Sequence, residues 1–191
     1  MRKTSNKVLV LGPKINLMNK VRRGLWQLTW LILCRFTPIF MHGWRCWILR
    51  LFGAKIPGIA YPYPSVRIWA PWNLEMGVGS CLASEVDCYN VSKISLGDRV
   101  TISQRSFLCG ASYDFESEGS PLIVGDIDIA EDVWISAECF VGPGIKICEN
   151  AVVLARSVVI NNVGEQNVVA GNPARVIRKR KNIIEKKRKS I

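Results

Sequence analysis

The chain is poor in the side chains that most often do chemistry at neutral pH. Its one histidine, His42, sits in an apolar N-terminal stretch. It reads either as a residue at the polar edge of an amphipathic helix or as a base offered to a neighbouring subunit. Seven cysteines (Cys34, Cys46, Cys81, Cys88, Cys109, Cys139, Cys148) are scattered and never form a C-x-x-C pair. That argues against a disulfide framework and against zinc, which takes three or four closely spaced Cys, His or carboxylate ligands. A three-histidine zinc site is beyond a chain with one imidazole, and no metal is expected. Neither a G-x-x-x-x-G-K-[ST] phosphate loop nor a G-x-G-x-x-G dinucleotide fingerprint occurs. The remaining chemistry-bearing groups gather in one polar segment, residues 111–126 (ASYDFESEGSPLIVGD), rich in Gly, Ser and acids.

A repeat of six positions that segment. Aliphatic residues recur at Ile129, Ile135, Val141, Ile147, Val153 and Val159, with a second row at Val133, Cys139, Ile145, Ala151, Ser157 and Val163. Earlier rows run Met76, Leu82, Cys88, Ile94 and, after an offset of two, Leu96, Ile102, Leu108. A helix would show a period of 3.6 and an ordinary strand a period of 2. A period of six, with Gly, Asn and Asp between aliphatics, gives short strands joined by turns, three to a triangular coil. About five such coils, stacked at ~4.8 Å, form a parallel β-helix. Leu108 and Ile129 are twenty-one apart, three more than a coil, so 111–126 protrudes as a loop. Loops on a rigid repeat commonly carry function.

Charge divides the chain into parts. Residues 1–53 hold ten basic residues and no acid, residues 56–174 carry a net −8, and the segment from Arg175 onward is +8. The organisation expected is a basic arm over 1–20, an amphipathic helical segment over 21–55, a β-helix over 66–174, and a basic helix or tail over 175–191. Four of the seven tryptophans (Trp26, Trp30, Trp44, Trp47) lie in the helical segment among arginines. Its apolar runs are too short to cross a bilayer, which takes ~20 residues. It therefore either caps the β-helix, lies at a membrane interface, or does both. The mixed, polar N-terminus does not look like a signal peptide, so a cytoplasmic protein, peripheral on the inner membrane face, is expected. The basic tail lacks interleaved aromatics and any nucleic-acid reading module, so nucleic acid is not an expected partner.

The hexads Leu96-Gly97-Asp98-Arg99-Val100-Thr101 and Ile129-Ala130-Glu131-Asp132-Val133-Trp134 resemble those of the hexapeptide-repeat acyltransferases. Pro71-Trp72-Asn73-Leu74, Ile102-Ser103-Gln104 and Ala170-Gly171-Asn172-Pro173-Ala174-Arg175, in that order, most resemble the colanic-acid-biosynthesis (WcaF-like) acetyltransferases. The resemblance covers roughly residues 21–180. It implies an all-β, left-handed parallel β-helix, a homotrimer with its site between subunits, acetyl-CoA as donor, and a sugar or lipid-linked glycan as acceptor. It also implies a His-Asp pair in the protruding loop, the His removing the acceptor's proton.

Here the matching residues are Ala111-Ser112-Tyr113-Asp114, so Tyr113 stands at the His position. A phenol with a reference pKa of ~10 donates hydrogen bonds at pH 7 and is a poor base. Three readings stay open: Asp114 is a weak base, Tyr113 orients the acceptor while water carries the proton, or the protein is a degenerate acetyltransferase. By the same resemblance Asn90 lies near the acceptor, and Trp134, Ser136, Ala137, Ala155 and Arg156 line the pantetheine arm. Arg175 and Arg178 would meet the CoA phosphates, while a lysine common after the last hexads is Asn161 here. The alternative is a non-catalytic β-helix scaffold in polysaccharide assembly.

Overall fold

A computed structural model describes residues 9–10 and 17–181. The hexads form a left-handed parallel β-helix of three sheets. The first face stacks Leu74–Met76, Ile94–Leu96, Ile127–Ile129 and Lys146–Ile147. The second carries Tyr61–Pro62, Cys81–Leu82, Thr101–Ile102, Trp134–Ile135, Val152–Val153 and the terminal strands Asn167–Gly171 and Ala174–Lys179. The third carries Arg67–Ile68, Asp87–Tyr89, Phe107–Cys109, Phe140–Val141 and Val158–Val159. Its five strands correspond to five coils.

The predicted rows are the core. Ile129, Ile135, Val141, Ile147, Val153 and Val159 are all at most 1% exposed. Each such side chain contributes roughly 1.5–3 kcal/mol through burial, which no single coil could collect without a neighbour on either side. Register is kept without slippage: Cys81 and Leu82 pair with Thr101 and Ile102, which pair in turn with Trp134 and Ile135. The coils turn through residues in the left-handed region, among them Glu85, Arg99, Arg105, Asp132, Glu138 and Arg156, all with φ between 56° and 59°. Corner side chains stack into ion pairs: Arg105 bridges Glu85 (3.2 Å) and Glu138 (3.7 Å), and Arg156 meets Glu138 at 2.7 Å. Gly97 is required by close approach, because a Cβ there would lie 2.7 Å from the Glu131 nitrogen of the next coil.

The helical segment is two helices, α1 (Leu17–Leu33) and α2 (His42–Leu51). α1 starts inside the stretch read as a basic arm. Residues 1–8 and 11–16 of that arm lie outside the described residues, and Leu9–Val10 forms a short strand. α1 lies against the coils through Trp26, whose Nε1 donates to the Ile68 carbonyl at 2.7 Å, and through Arg22 and Arg23, stacked on Trp72 and Trp69. Arg45 on α2 is fully buried with no acid beside it. Its guanidinium is satisfied by the carbonyls of Pro62 (2.7 Å), Pro38 (2.9 Å) and Ile39 and by the Thr37 hydroxyl (2.8 Å).

Two boundaries differ from the sequence reading. The solenoid begins before residue 66: Lys55 already bridges Glu75, and Tyr61–Pro62 pairs with Cys81–Leu82. The inward row continues back through Ile68, Pro62 and Ile56, with proline at an aliphatic position hiding the period. At the other end, residues 174–179 are neither helix nor loose tail but a strand antiparallel to Asn167–Gly171, with Ala170 opposite Arg175 and Val168 opposite Arg178. Asn167–Gly171 is otherwise an open sheet edge, and pairing with it satisfies both backbones. Residues 182–191 of the tail lie outside the described residues.

Candidate active site

The protruding segment is a hairpin. It leaves the third face at Gly110, whose N–H donates to the Tyr89 carbonyl at 3.0 Å, and pairs Ala111–Tyr113 with Leu122–Val124. Leu9–Val10 adds a third antiparallel strand. Tyr113 ends its strand with 63% of its surface exposed. Asp114, next to it, fastens the loop. Its carboxylate accepts from the Glu116 N–H (3.1 Å) and the Ser117 hydroxyl (2.6 Å), and its own N–H donates to the Pro121 carbonyl. These hydrogen bonds hold the carboxyl below its ordinary pKa. Desolvation, the condition under which it would become a stronger base, is not what this protomer provides.

Asn90, expected near the acceptor, is held by the fold in this structure. It is fully buried, its Oδ1 accepting from the Ala70 N–H (2.9 Å) and its Nδ2 donating to the Ala70 carbonyl. A turn position in a hexad does not reveal whether its amide points in or out. His42 is also accounted for. Its Nδ1 lies 3.0 Å from Arg45 Nη2 and 3.2 Å from the Pro62 carbonyl, so the ring is engaged inside the cap. Burial lowers its pKa. The cysteines carry free thiols, and burial pushes Cys34 up to about 11 and Cys88 higher still, so neither is a nucleophile. Among the described residues no three His, Cys, Asp or Glu groups come together as metal ligands.

The residues expected along the pantetheine arm do share one edge. Trp134 stands half exposed on the second face between Thr101 and Val152. Ser136 and Ala137 follow at the corner: Ser136 N–H donates to Val153, its carbonyl accepts from Ser106, and the Ala137 carbonyl accepts from the Arg156 N–H. Ala155 and Arg156 form the same corner one coil on, both exposed, the Arg156 side chain tied to Glu138. Arg175 and Arg178 lie exposed on the terminal strand of that face, their guanidinium groups donating only to the neighbouring carbonyls of Ala174 and Lys179. Arg180, which the sequence did not single out, donates to the Asp132 and Asn150 carbonyls and pins this strand to two coil corners.

A second feature escaped the sequence. α1 and the third face enclose an open cleft of about 520 Å³, lined on one side by Trp26, Gln27, Trp30 and Arg35 and on the other by Arg67, Trp69, Asp87 and Tyr89. The signal was present in spacing alone: Arg67 and Trp69 recur twenty residues on as Asp87 and Tyr89, outward-facing on successive coils.

A left-handed parallel β-helix of hexads with a hairpin projecting between coils is the architecture that the hexapeptide-repeat acyltransferases share. The chain belongs to the family of the putative colanic acid biosynthesis acetyltransferase WcaF of Escherichia coli (strain K12), to which it is 36% identical over 162 residues, 85% of this chain and 89% of the relative. No protein-family model matches it. A galactoside acetyltransferase in complex with coenzyme A superposes with a TM-score of 0.81 at 22% identity, over 91% of this chain and 87% of that one. A hexapeptide-repeat acetyltransferase of Vibrio cholerae O1 biovar eltor complexed with acetyl coenzyme A superposes with a TM-score of 0.77 at 22% identity, over 88% and 92%. At those identities the two structures show the shared fold. The sequence relative shows the family, one of acetyltransferases.

Proposed function

We propose that the protein moves the acetyl group of acetyl-CoA to a sugar hydroxyl of an exopolysaccharide or capsule precursor, as a homotrimer. The observation that carries this reading is the match to the WcaF acetyltransferase over nearly the whole of both chains. The shared edge of Trp134, Ser136, Ala137, Ala155 and Arg156, ending at Arg175 and Arg178, supports it as the track for the donor. The donor supplies a thioester carbonyl: the acceptor oxygen bonds to it, the carbon–sulfur bond breaks, and the hydroxyl proton ends on the CoA thiol. Tyr113 positions the acceptor hydroxyl, water relays the proton, and Asp114 holds the loop that presents Tyr113.

Calorimetry with acetyl-CoA, followed by thiol release with sugar acceptors, tests the reading in wild type and Tyr113→His. Micromolar binding with turnover in wild type is the expected result. Binding with turnover only in Tyr113→His would mean that the base has been lost. No binding in either protein favours a scaffold, a reading that the hydrogen-bonded Asp114 carboxylate also suits.

We place the protein at the cytoplasmic face of a membrane. α1 buries Trp26 and Trp30 and turns Leu17, Val21, Leu25, Leu28 and Ile32 outward, all more than half exposed; Phe36 and Phe40 follow, then stacked Trp44 and Trp47 on α2. No described helix is long and apolar enough to cross a membrane. An apolar stripe on a segment with cations and no acid suits the interface of an anionic leaflet, each Lys or Arg adding ~1 kcal/mol. Co-sedimentation with phosphatidylglycerol vesicles at low salt, lost in Phe36→Ser/Phe40→Ser, is the expected outcome. Failure of the wild type to sediment removes the placement.

A further inference from the structure

The cleft between α1 and the third face contains groups that neither the fold nor the proposed chemistry uses. Trp30 is 8% exposed, and its buried Nε1–H has no hydrogen-bond partner, whereas the neighbouring Trp26 satisfies its own on the Ile68 carbonyl. A buried indole N–H left unpaired is costly, and the Trp30 side chain that carries it lines the cleft. Across the cleft, Asp87 has one ion pair among the described residues, a loose one with Arg67 at 3.7 Å, so its carboxylate keeps acceptor capacity. Burial holds that carboxyl above its ordinary pKa in spite of Arg67. Trp69 and Tyr89 complete the wall edge to face, with centroids 5.0 Å apart.

We propose that this cleft is a binding site for a neutral hexopyranose, one sugar unit of the acceptor glycan beyond the unit that is acetylated. The donor and acceptor pattern selects the ligand. Sugar hydroxyls donate and accept, so one ring can give a proton to Asp87 and take one from Trp30 while its C–H face lies on the aromatic wall. A phosphate would find Arg35 and Arg67 in the lining but would also meet the Asp87 carboxylate, and so serves as the rival probe. An alkyl chain would leave both Asp87 and the Trp30 N–H without partners in an apolar contact. The volume, about 520 Å³, falls within the roughly 300–1,000 Å³ of small-molecule sites. The cleft also adjoins the hairpin: the Tyr89 carbonyl receives the Gly110 N–H from which the hairpin starts. A glycan held at Tyr89 can therefore extend toward Tyr113. The assignment to the acceptor rests on the proposed transferase reading; the sugar site itself does not.

The test titrates the full chain with glucose, galactose, mannose and fucose by tryptophan fluorescence and saturation-transfer NMR, with inorganic phosphate and decanoate as rival probes. Saturable millimolar binding of at least one hexose is expected, weakened about tenfold or more in Asp87→Ala and in Trp30→Phe, with acetyl-CoA affinity unchanged. Should Trp30→Phe fail to fold, Asp87→Asn and Gln27→Ala read the same site. No saturable hexose binding, hexose binding untouched by Asp87→Ala, or saturation by phosphate or decanoate alone overturns the proposal. Asp87-dependent hexose binding without any thiol release retains the cleft and sinks the transferase. Thiol release with no hexose binding retains the transferase and sinks the cleft.

Discussion

The Ser117 hydroxyl donates to the Asp114 carboxylate across 2.6 Å, so the one acid beside Tyr113 is occupied in holding its own loop. Because its pKa is lowered by folding, the stabilisation it gives is present above its ordinary carboxylate pKa and is lost as pH falls through the folded value. Asp114→Asn is expected to loosen the hairpin, seen as faster amide exchange over 111–124, while acetyl transfer falls by less than about tenfold. A base removed outright costs roughly 10²–10⁴. A loss of that size with acetyl-CoA binding intact would restore Asp114 as the base.

Arg45 and His42 predict an acid-sensitive cap. Burial depresses the pKa of the folded imidazole, so the unfolded chain takes up protons first as pH drops below ~6.5. Its contribution is complete above that pH and is lost as pH falls toward the folded value. Urea melts should show lower stability at pH 5.5 than at 7.5, and His42→Gln, which keeps a polar side chain beside Arg45 and the Pro62 carbonyl but does not titrate, should abolish the difference. Arg45→Ala strands three carbonyls and a hydroxyl and should cost about 3 kcal/mol or more.

Gly97→Ala forces a methyl to within 2.7 Å of backbone in the next coil. A rung cannot shift without moving its neighbours, so the change should destabilise by about 1–3 kcal/mol in denaturant melts. Gly24→Ala, where a Cβ meets nothing within 4 Å on exposed α1, should leave stability equal or slightly higher.

Arg175 and Arg178 are exposed and hold no acid in the described structure. If they meet CoA phosphates, Arg175→Ala/Arg178→Ala should raise the acetyl-CoA Kd about tenfold, ~1.4 kcal/mol, with the difference shrinking in high salt. Calorimetry at two ionic strengths checks both parts.

What the sequence revealed follows what is periodic. Ile129 to Val159 announce the coil because each coil repeats the same burial, and the twenty-one residues from Leu108 to Ile129 announce the hairpin because they break it. The inward turn of Asn90 was not legible because the direction of an amide at a corner depends on Ala70, twenty residues away. The strand at 174–179 was missed because its basic side chains resemble a solvated helix, while its order comes from pairing with 167–171. The cleft was missed for a related reason: Trp30 and Asp87 belong to different periods, and only the docking of α1 on the third face brings them together.

The pairing of Ala174–Lys179 with Asn167–Gly171 also governs how many molecules one solenoid can become. A stack of parallel rungs has no internal reason to stop, and a bare last rung would template the first rung of another chain, producing a filament. Reversing the chain direction ends the parallel pattern, and Arg175, Arg178 and Lys179 line the last strand among the described residues with like charge, which opposes the addition of a like-charged rung.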